Sequence, residues 1–463
     1  MSAIPVIAIF DVGKTNKKLF LFDEQYRIVY EQAVQFPETK DEDGDPCEDV
    51  EILTRWVINS FRELLLLPGF NIKAVNFSAY GASFVHIGAS GSPVLPLYNY
   101  LKPYPETLQK KFYKTYGGKV TVSVNTASPV LGSLNSGMQL YRLKYENPEA
   151  FEKIDQSLHL PQYLNFLITG KTYSDITSIG CHTNLWNFAQ RHYHEWVYRE
   201  DIIHKLAPVF PCDEVMITEP HGKKMAAGVG LHDSSSALIP YLASFDQPFI
   251  LISTGTWCIS LNPFNHSRPT VEDLQHDCLC YLTYKGENVK ASRLFAGYEH
   301  EQQVKILAGY FHKPLNYYEN TRYDEQLLAG LKNRFPQSEE NKKGKTALTG
   351  ASAFSGRELA GFKNYEEAYC QLMIDIMRQQ VISTRLVIND DSVKRIFVDG
   401  GFSRNAVYME LLADAFPEVE VYAASVPQAT AIGAGIAIHH RWSDKKIPGD
   451  IIELKLYSTV HLR

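Results

Sequence analysis

The sequence has no CxxC pair, and its seven cysteines (Cys47, Cys181, Cys212, Cys258, Cys278, Cys280, Cys370) are scattered along the chain. An odd, unpaired set of this kind gives no disulfide framework and suits a reducing compartment. Cys278 and Cys280, with His276 nearby, are the one cluster. No second ligand pair accompanies them, so they are read as part of the apolar stretch LCYLTY and not as half a metal site. Long hydrophobic runs are also missing. Val6–Phe10 and Leu64–Leu67 are the longest candidates, far short of the ~18 residues that a membrane helix needs. The N-terminus, MSAIPVIAIFDVGK, lacks a basic region and a small-residue cleavage site, which argues against a signal peptide. Nor is there a basic excess: 46 Lys+Arg against 52 Asp+Glu leave a net charge of −6. Binding of nucleic acid through bulk charge is therefore not expected. These absences together predict a cytoplasmic protein with neither a membrane nor a nucleic acid as partner.

What is present is ordinary globular material. The 463 residues are 45% hydrophobic and 21% charged, enough for two or three cores. VIAIF and KLFLF flank the turn DVGKTNK, which reads as a β-hairpin. The same grammar returns near residue 250, where PFILIS and WCISLNPF flank Thr254-Gly255-Thr256. Two such units predict two α/β domains of similar architecture, residues 1–245 and 246–463. Between the hairpins, Val50–Leu67, Ser136–Tyr145 and Pro161–Ile168 read as helices, and Lys73–Ile87 as strand–turn–strand around Tyr80-Gly81. Further on, Tyr365–Val387 and Ala406–Ala415 read as helices and Arg395–Val398 as a buried strand. The acidic Asp41–Asp49 and the polar Gln337–Lys345 are expected to be solvated loops.

Four places could carry chemistry. Gly13-Lys14-Thr15 invites a P-loop reading, which fails: Ala8 stands where the first P-loop glycine belongs, and a strand follows instead of a helix. A hairpin turn can still offer N–H groups and hydroxyls to a phosphate, with Asp11 placed to hold magnesium through water. Ser253–Thr256 is a second turn of that type, built of one glycine and three hydroxyls. His232-Asp233-Ser234 follows the small-residue run AAGVGL. Asp233 is placed either as the N-cap of a helix starting at Ser234, which Pro240 would limit or kink, or as a carboxylate base. Last, Val398-Asp399-Gly400-Gly401 runs into a helix with Asn405 as its N-cap, and the glycines would let a ligand approach the backbone.

In this order the four sites resemble the FGGY carbohydrate kinases of the actin-like ATPase superfamily, with the rhamnulokinase and L-fuculokinase branch nearest. FDVGKTNKK is similar to the family's first phosphate hairpin, HDSSSAL to its catalytic segment, STGTW to its second hairpin and VDGGFSRN to its adenosine-side turn. SAYGASFVHI and LITGK are similar to segments of the rhamnulokinase branch. The resemblance covers roughly residues 6 to 438. It implies two ribonuclease-H-like domains with a cleft between them, ATP as phosphoryl donor, Mg2+, and a ketose as acceptor: L-rhamnulose, L-fuculose or a pentulose. Carried across, Asp233 would be the base, and Gly81, His232, Asp233 and Ser234 would line the sugar. Lys14, Thr15, Asn16, Lys17, Lys18, Thr256, Gln302, Gly400 and Gly401 would meet the nucleotide, with Asp11 at the metal. The sequence departs from the pattern at Ser136–Arg142, which lacks the usual Lys and Trp, at Lys14 and Asn16, and at Ser83 in place of an Asp. These departures leave the sugar open. A glycerol or other polyol kinase of the family, or a sugar- or nucleotide-binding regulator without catalysis, remain alternatives. Oligomeric state is open too, a homodimer included.

Overall fold

The computed structural model describes residues 3–336, 351–390 and 392–457. The expected polar loop Gln337–Lys345 lies outside these residues. Contacts divide the chain into two compact units. The first comprises Met1–Phe245 with Cys280–Asn288 and Pro427–Ile451, and the second Asp246–Leu279, Val289–Val426 and Ile452–Arg463. Two stretches from beyond residue 245 are thus part of the first unit.

The first unit is built on a mixed sheet in the order Val215–Thr218, Met225–Gly228, Phe70–Ala79, Ile4–Val12, Lys17–Asp23, Ile28–Val34. Ile4–Val12 is central, antiparallel to Lys17–Asp23 and parallel to Phe70–Ala79. Val6 through Phe10 are fully buried, the two-sided burial that a continuous apolar run requires. On one face, Ala8, Phe10, Leu19, Val75 and Phe77 share a core with Leu53, Val57 and Phe61 of the helix Val50–Leu66. That helix begins where Asp49 accepts from the N–H groups of Glu51 and Ile52. Helices Ala429–Ala437 and Asp233–Ser244 pack against each other and against the sheet. Asp233–Ser244 runs through Pro240, which supplies no N–H to the carbonyl of Ser236. That carbonyl abuts Gly433, where a Cβ would overlap it, so the broken bond and the glycine together set a close helix crossing.

The second unit repeats the strand–turn–strand plan. Phe249–Thr254 is antiparallel to Cys258–Asn262 and parallel to Arg395–Gly400. The order of that sheet is Cys278–Leu282, Asn288–Leu294, Cys258–Asn262, Phe249–Thr254, Arg395–Gly400, Glu420–Ser425, Glu453–Leu456, and the division by contacts cuts through its edge strand Cys278–Leu282. Its core gathers Ile250, Ile252, Ile396 and Val398 with Tyr369, Leu372, Met373 and Ile376 of the helix Tyr365–Leu386. Cys278 and Cys280 are buried in the strand Cys278–Leu282, and all seven cysteines are buried thiols. No helix among the described residues is long and apolar enough to cross a membrane.

The acidic run is not a plain solvated loop. Asp41, Asp43 and Asp45 converge on the ammonium of Lys102, the last two at 2.8 and 3.5 Å. Asp41 and Lys102 are both buried, and an internal lysine supplies the positive charge that three carboxylates demand.

Candidate functional site

In the first unit, sheet register decides what meets. Asp11 is opposite Ser78 and Val12 opposite Ala79, while the short strand Leu231–His232 pairs with the same Ser78 and Ala79. Asp11, Ser78 and His232 therefore crowd the C-terminal ends of neighbouring parallel strands, where open α/β sheets hold ligands. Asp233 follows at once as the first residue of its helix, with His232 and not Asp233 in the cap position. Its Oδ1 accepts from the Ser234 N–H at 2.6 Å and lies 3.2 Å from His232 Nε2. The Asp233 side chain is one-third exposed and so open to a substrate.

Asp11 is more enclosed. Thr430 donates its hydroxyl to Asp11 Oδ2 at 2.8 Å. Burial, reinforced by the negative charge of Asp233, lifts the Asp11 carboxyl to about 6. Two carboxylates are thus held near each other with too little compensating charge. A divalent cation would relieve that field, so the donor set fits magnesium.

His232 is fixed from several sides. Its N–H donates to Thr177 Oγ1 at 2.9 Å, and its ring lies 3.4 Å from Cys181 Sγ and 3.3 Å from Ser235 Oγ. Gly81 faces the same ring, and a Cβ there would come within 2.8 Å of it. Glycine at 81 is therefore what lets the Tyr80–Ser83 turn lie against His232. The next residue, Ala82, is held at φ 59°, and its carbonyl accepts from Gln139 Nε2 at 2.8 Å.

The hairpin turn closes with the Gly13 N–H donating to Asn16 O at 2.9 Å. Thr15 and Asn16 are exposed, and Asn16 Oδ1 accepts from Gln35. The three lysines divide. Lys17 is buried, its ammonium 2.5 Å from Glu48 Oε1 and donating to Lys14 O. Tyr80 donates to the other Glu48 oxygen at 2.5 Å. The Lys17 side chain is thereby spent on an internal pair and withdrawn from any phosphate. Lys14 lies over the rings of Tyr80 and Tyr100, at 5.8 and 6.0 Å, near Glu38. Lys18 reaches Glu31 and Gln428. Lys14 and Lys18 are each about one-quarter exposed and can supply charge.

In the second unit, Thr254 Oγ1 ties two turns together. It donates to Asp399 O at 2.6 Å and accepts from the Phe402 N–H at 3.0 Å. This holds Thr256, Gly400 and Gly401 exposed at neighbouring strand ends. Gly400 has φ 93°, a conformation that excludes most other residues. At Gly297 a Cβ would overlap the Gly255 carbonyl, so the helix Ala296–Tyr310 starts directly against the hairpin. A cavity of about 670 Å³ opens beside them, lined among others by Gly255, His300, Tyr318, Gly401, Phe402 and Arg404. Burial holds the His300 imidazole down to about 4, so it is neutral, and it donates to or accepts from Tyr369 OH at 3.0 Å. Gln302 is on the same helix but does not line this cavity. Asn405 caps the helix Ala406–Ala415 by accepting from the Tyr408 N–H.

Sequence reasoning missed Thr430, Glu48, Tyr100 and His300, and it offered Thr254 as a hydroxyl of the second turn without its role in tying that turn to Asp399 and Phe402. The small-residue run ATAIGAGIA, a mark of close helix packing, is the signal in the sequence that could have drawn attention to the segment carrying Thr430.

Comparison with known proteins agrees with this architecture. Residues 6–231 match the N-terminal domain of the FGGY family of carbohydrate kinases, and residues 246–446 match the carbohydrate kinase FGGY C-terminal domain. The rhamnulokinase of Mannheimia succiniciproducens is 24% identical over 267 residues, 55% of this chain and 52% of that protein. The Bacteroides thetaiotaomicron rhamnulokinase is 25% identical over 222 residues, 46% and 44% respectively. The chain thus spans about half the length of the curated relatives it matches. Among solved structures, a carbohydrate kinase from Novosphingobium aromaticivorans superposes with TM-score 0.79 at 21% identity, covering 99% of this chain and 95% of that one. Plasmodium falciparum glycerol kinase with ADP gives 0.75 at 16%, covering 95% and 90%. The two matched domains together span most of the sequence, and the chain belongs to the FGGY family of carbohydrate kinases.

Proposed function

We propose that this chain transfers the γ-phosphoryl group of ATP to a hydroxyl of a ketose of the L-rhamnulose, L-fuculose or pentulose type. The first unit takes the sugar and carries the base, and the second takes the nucleotide. The observation that carries this reading is the convergence of Asp11, His232 and Asp233 at the ends of parallel strands. Asp233 is partly exposed, and Ser234 and His232 fix its Oδ1, which leaves Oδ2 to take the proton of an attacking hydroxyl. Gly81 and His232 form one wall for the sugar. Lys14, Lys18 and the exposed Thr15 and Asn16 meet the phosphates, while Thr256, Gly400, Gly401 and the 670 Å³ cavity receive the nucleoside side. Magnesium, when bound, neutralises charge on the phosphate oxygens, and Asp11 is the residue that would hold it. The chain's own contribution is position and field, which supply most of the acceleration in phosphoryl transfer.

The test is a panel of ketoses and polyols with ATP and Mg2+, followed by Asp233→Asn on the best substrate. Turnover is expected to fall roughly 10²–10⁴-fold while nucleotide binding survives. Near-normal turnover in that variant would remove Asp233 from the base role.

A further inference from the structure

On the wall of the 670 Å³ cavity in the second unit, His300 stands among aromatic rings. It belongs to the helix Ala296–Tyr310, one turn after the Gly297 that abuts the hairpin. Tyr318, Phe402 and Tyr369 lie 5.0, 5.2 and 5.7 Å from its ring, each edge to face. Burial among them keeps the imidazole neutral, with a single ring proton. A chain of hydrogen bonds decides which nitrogen carries it. Asn405 Oδ1 accepts from the Tyr408 N–H at 3.1 Å, so the Asn405 amide nitrogen is the donor to the Tyr369 hydroxyl at 2.7 Å. Tyr369 is fully buried, and burial pushes its phenol well above the ordinary value, so the proton stays on. Among the described residues that O–H finds its acceptor in His300 Nε2, at 3.0 Å. Left unpaired in the interior, it would cost its full desolvation. Tyr369 therefore donates, Nε2 accepts, and the ring proton sits on Nδ1. Nδ1 itself has no partner among the described residues and, unlike the unpartnered atoms sealed in the core, it keeps accessible surface. Three rings enclose the rest of the side chain, so that surface opens into the cavity His300 lines.

We infer that His300 is a specificity residue, its Nδ1–H donating to an acceptor on the base of the bound nucleotide. Tyr369 and Asn405 are then positioning residues that hold the imidazole in the one tautomer able to do so. The inference rests on the reading of the second unit as the nucleotide side and deepens it. A phosphate seeks charge, which a neutral imidazole ringed by aromatic edges does not offer. A flat base fits an apolar, aromatic recess in which a few fixed polar groups set the orientation. The contact is donor-only: it rewards a ring nitrogen or carbonyl oxygen with a free lone pair. An N–H or C–H in that place meets the Nδ1 proton head-on and leaves it unpaired. Discrimination between bases is thereby assigned to a side chain whose proton is placed by two residues behind it.

The experiment titrates the full chain calorimetrically, without sugar, with ADP and with its 1-deaza, 3-deaza and 7-deaza analogues, each lacking one ring acceptor. Imidazole 15N shifts of the unliganded protein report which His300 nitrogen bears the proton. The expected results are a proton on Nδ1 and a loss of about tenfold for at least one analogue. His300→Leu should weaken ADP by a similar factor yet leave that analogue unchanged, since the contact is already gone. His300→Asn, isosteric with leucine but carrying an amide N–H, should bind ADP within about threefold of the unmodified chain. Tyr369→Phe should move the ring proton toward Nε2. A proton on Nε2 in the unmodified chain, ADP affinity unchanged in His300→Leu, or equal losses for ADP and all analogues in that variant overturns the inference and leaves the nucleotide reading intact. If His300→Leu does not fold, the unmodified chain decides: three analogues that bind as ADP does overturn the contact. No binding of ADP at all would overturn the nucleotide reading and this inference with it.

Discussion

The two hairpins solve one geometric problem with different chemistry. Both sit between antiparallel strands whose first member also pairs in parallel with a strand from later in the unit. The first is built from charge: Lys17 is locked to buried Glu48, and Lys14 is laid over two tyrosines. The second carries no charged side chain between Thr254 and Cys258 and relies on close approach, with Gly297 against Gly255 and a ladder of Trp257, Phe295 and Tyr298. Charge pairing fixes a turn strongly but stakes it on both partners. Glycine packing fixes it by shape and tolerates no added atom.

The largest expected effect breaks the first design. Lys17→Met leaves Glu48 buried without its cation and should cost about 3–5 kcal/mol in denaturant unfolding. Adding Glu48→Gln should recover part of that loss, and a double mutant no better than the single would refute the pairing argument. In the second design, Gly297→Ala should cost about 1–3 kcal/mol by overpacking and weaken nucleotide binding while sugar binding holds. Equal losses for both ligands would show that the distinction between the hairpins is misplaced.

Acid gives a graded comparison. Burial holds His86 and His159 down to about 3, and His300 down to about 4, from an ordinary 6.5. Below pH 6.5 the unfolded chain takes up protons at these positions and the folded chain does not. Stability is therefore full above pH 6.5 and is lost as pH falls toward 3, by about 1.4 kcal/mol per pH unit for each imidazole. The first unit holds two of the three, so hydrogen exchange should show it loosening before the second. The smallest effect belongs to the half-open cation: Lys14→Ala should change stability by no more than about 1 kcal/mol, yet raise the KM for ATP.

Much of the fold was legible because local signals agreed. Residues Ala406–Ala415 form the expected helix, and Val50–Leu66 and Tyr365–Leu386 match to within a residue, each carrying its own cap and acidic first turn or cap side chain. The rejected P-loop is indeed a hairpin. The candidate site was legible where a carboxylate stands at a strand end, as at Asp11 and Asp233, and where backbone geometry dictates glycine, as at Gly81 beside His232 and Gly400 at positive φ. Lysine 17 shows the limit: three lysines in five residues look alike in sequence, and strand alternation plus a distant Glu48 decide which one turns inward. The same holds for Lys102 among Asp41, Asp43 and Asp45, a pairing across some sixty positions that no local pattern announces.

The return of Pro427–Ile451 to the first unit bears on how the chain is made. On a ribosome, the strands around Asp11 emerge early, but the helix Ala429–Ala437 that packs on them and brings Thr430 to Asp11 comes after the whole second sheet except its last strand. Through most of synthesis the flank of the first sheet that Ala429–Ala437 covers therefore lacks that helix. A ribosome stalled before residue 427 should carry a nascent chain in which the second unit's elements are nearly all present while the first is still incomplete.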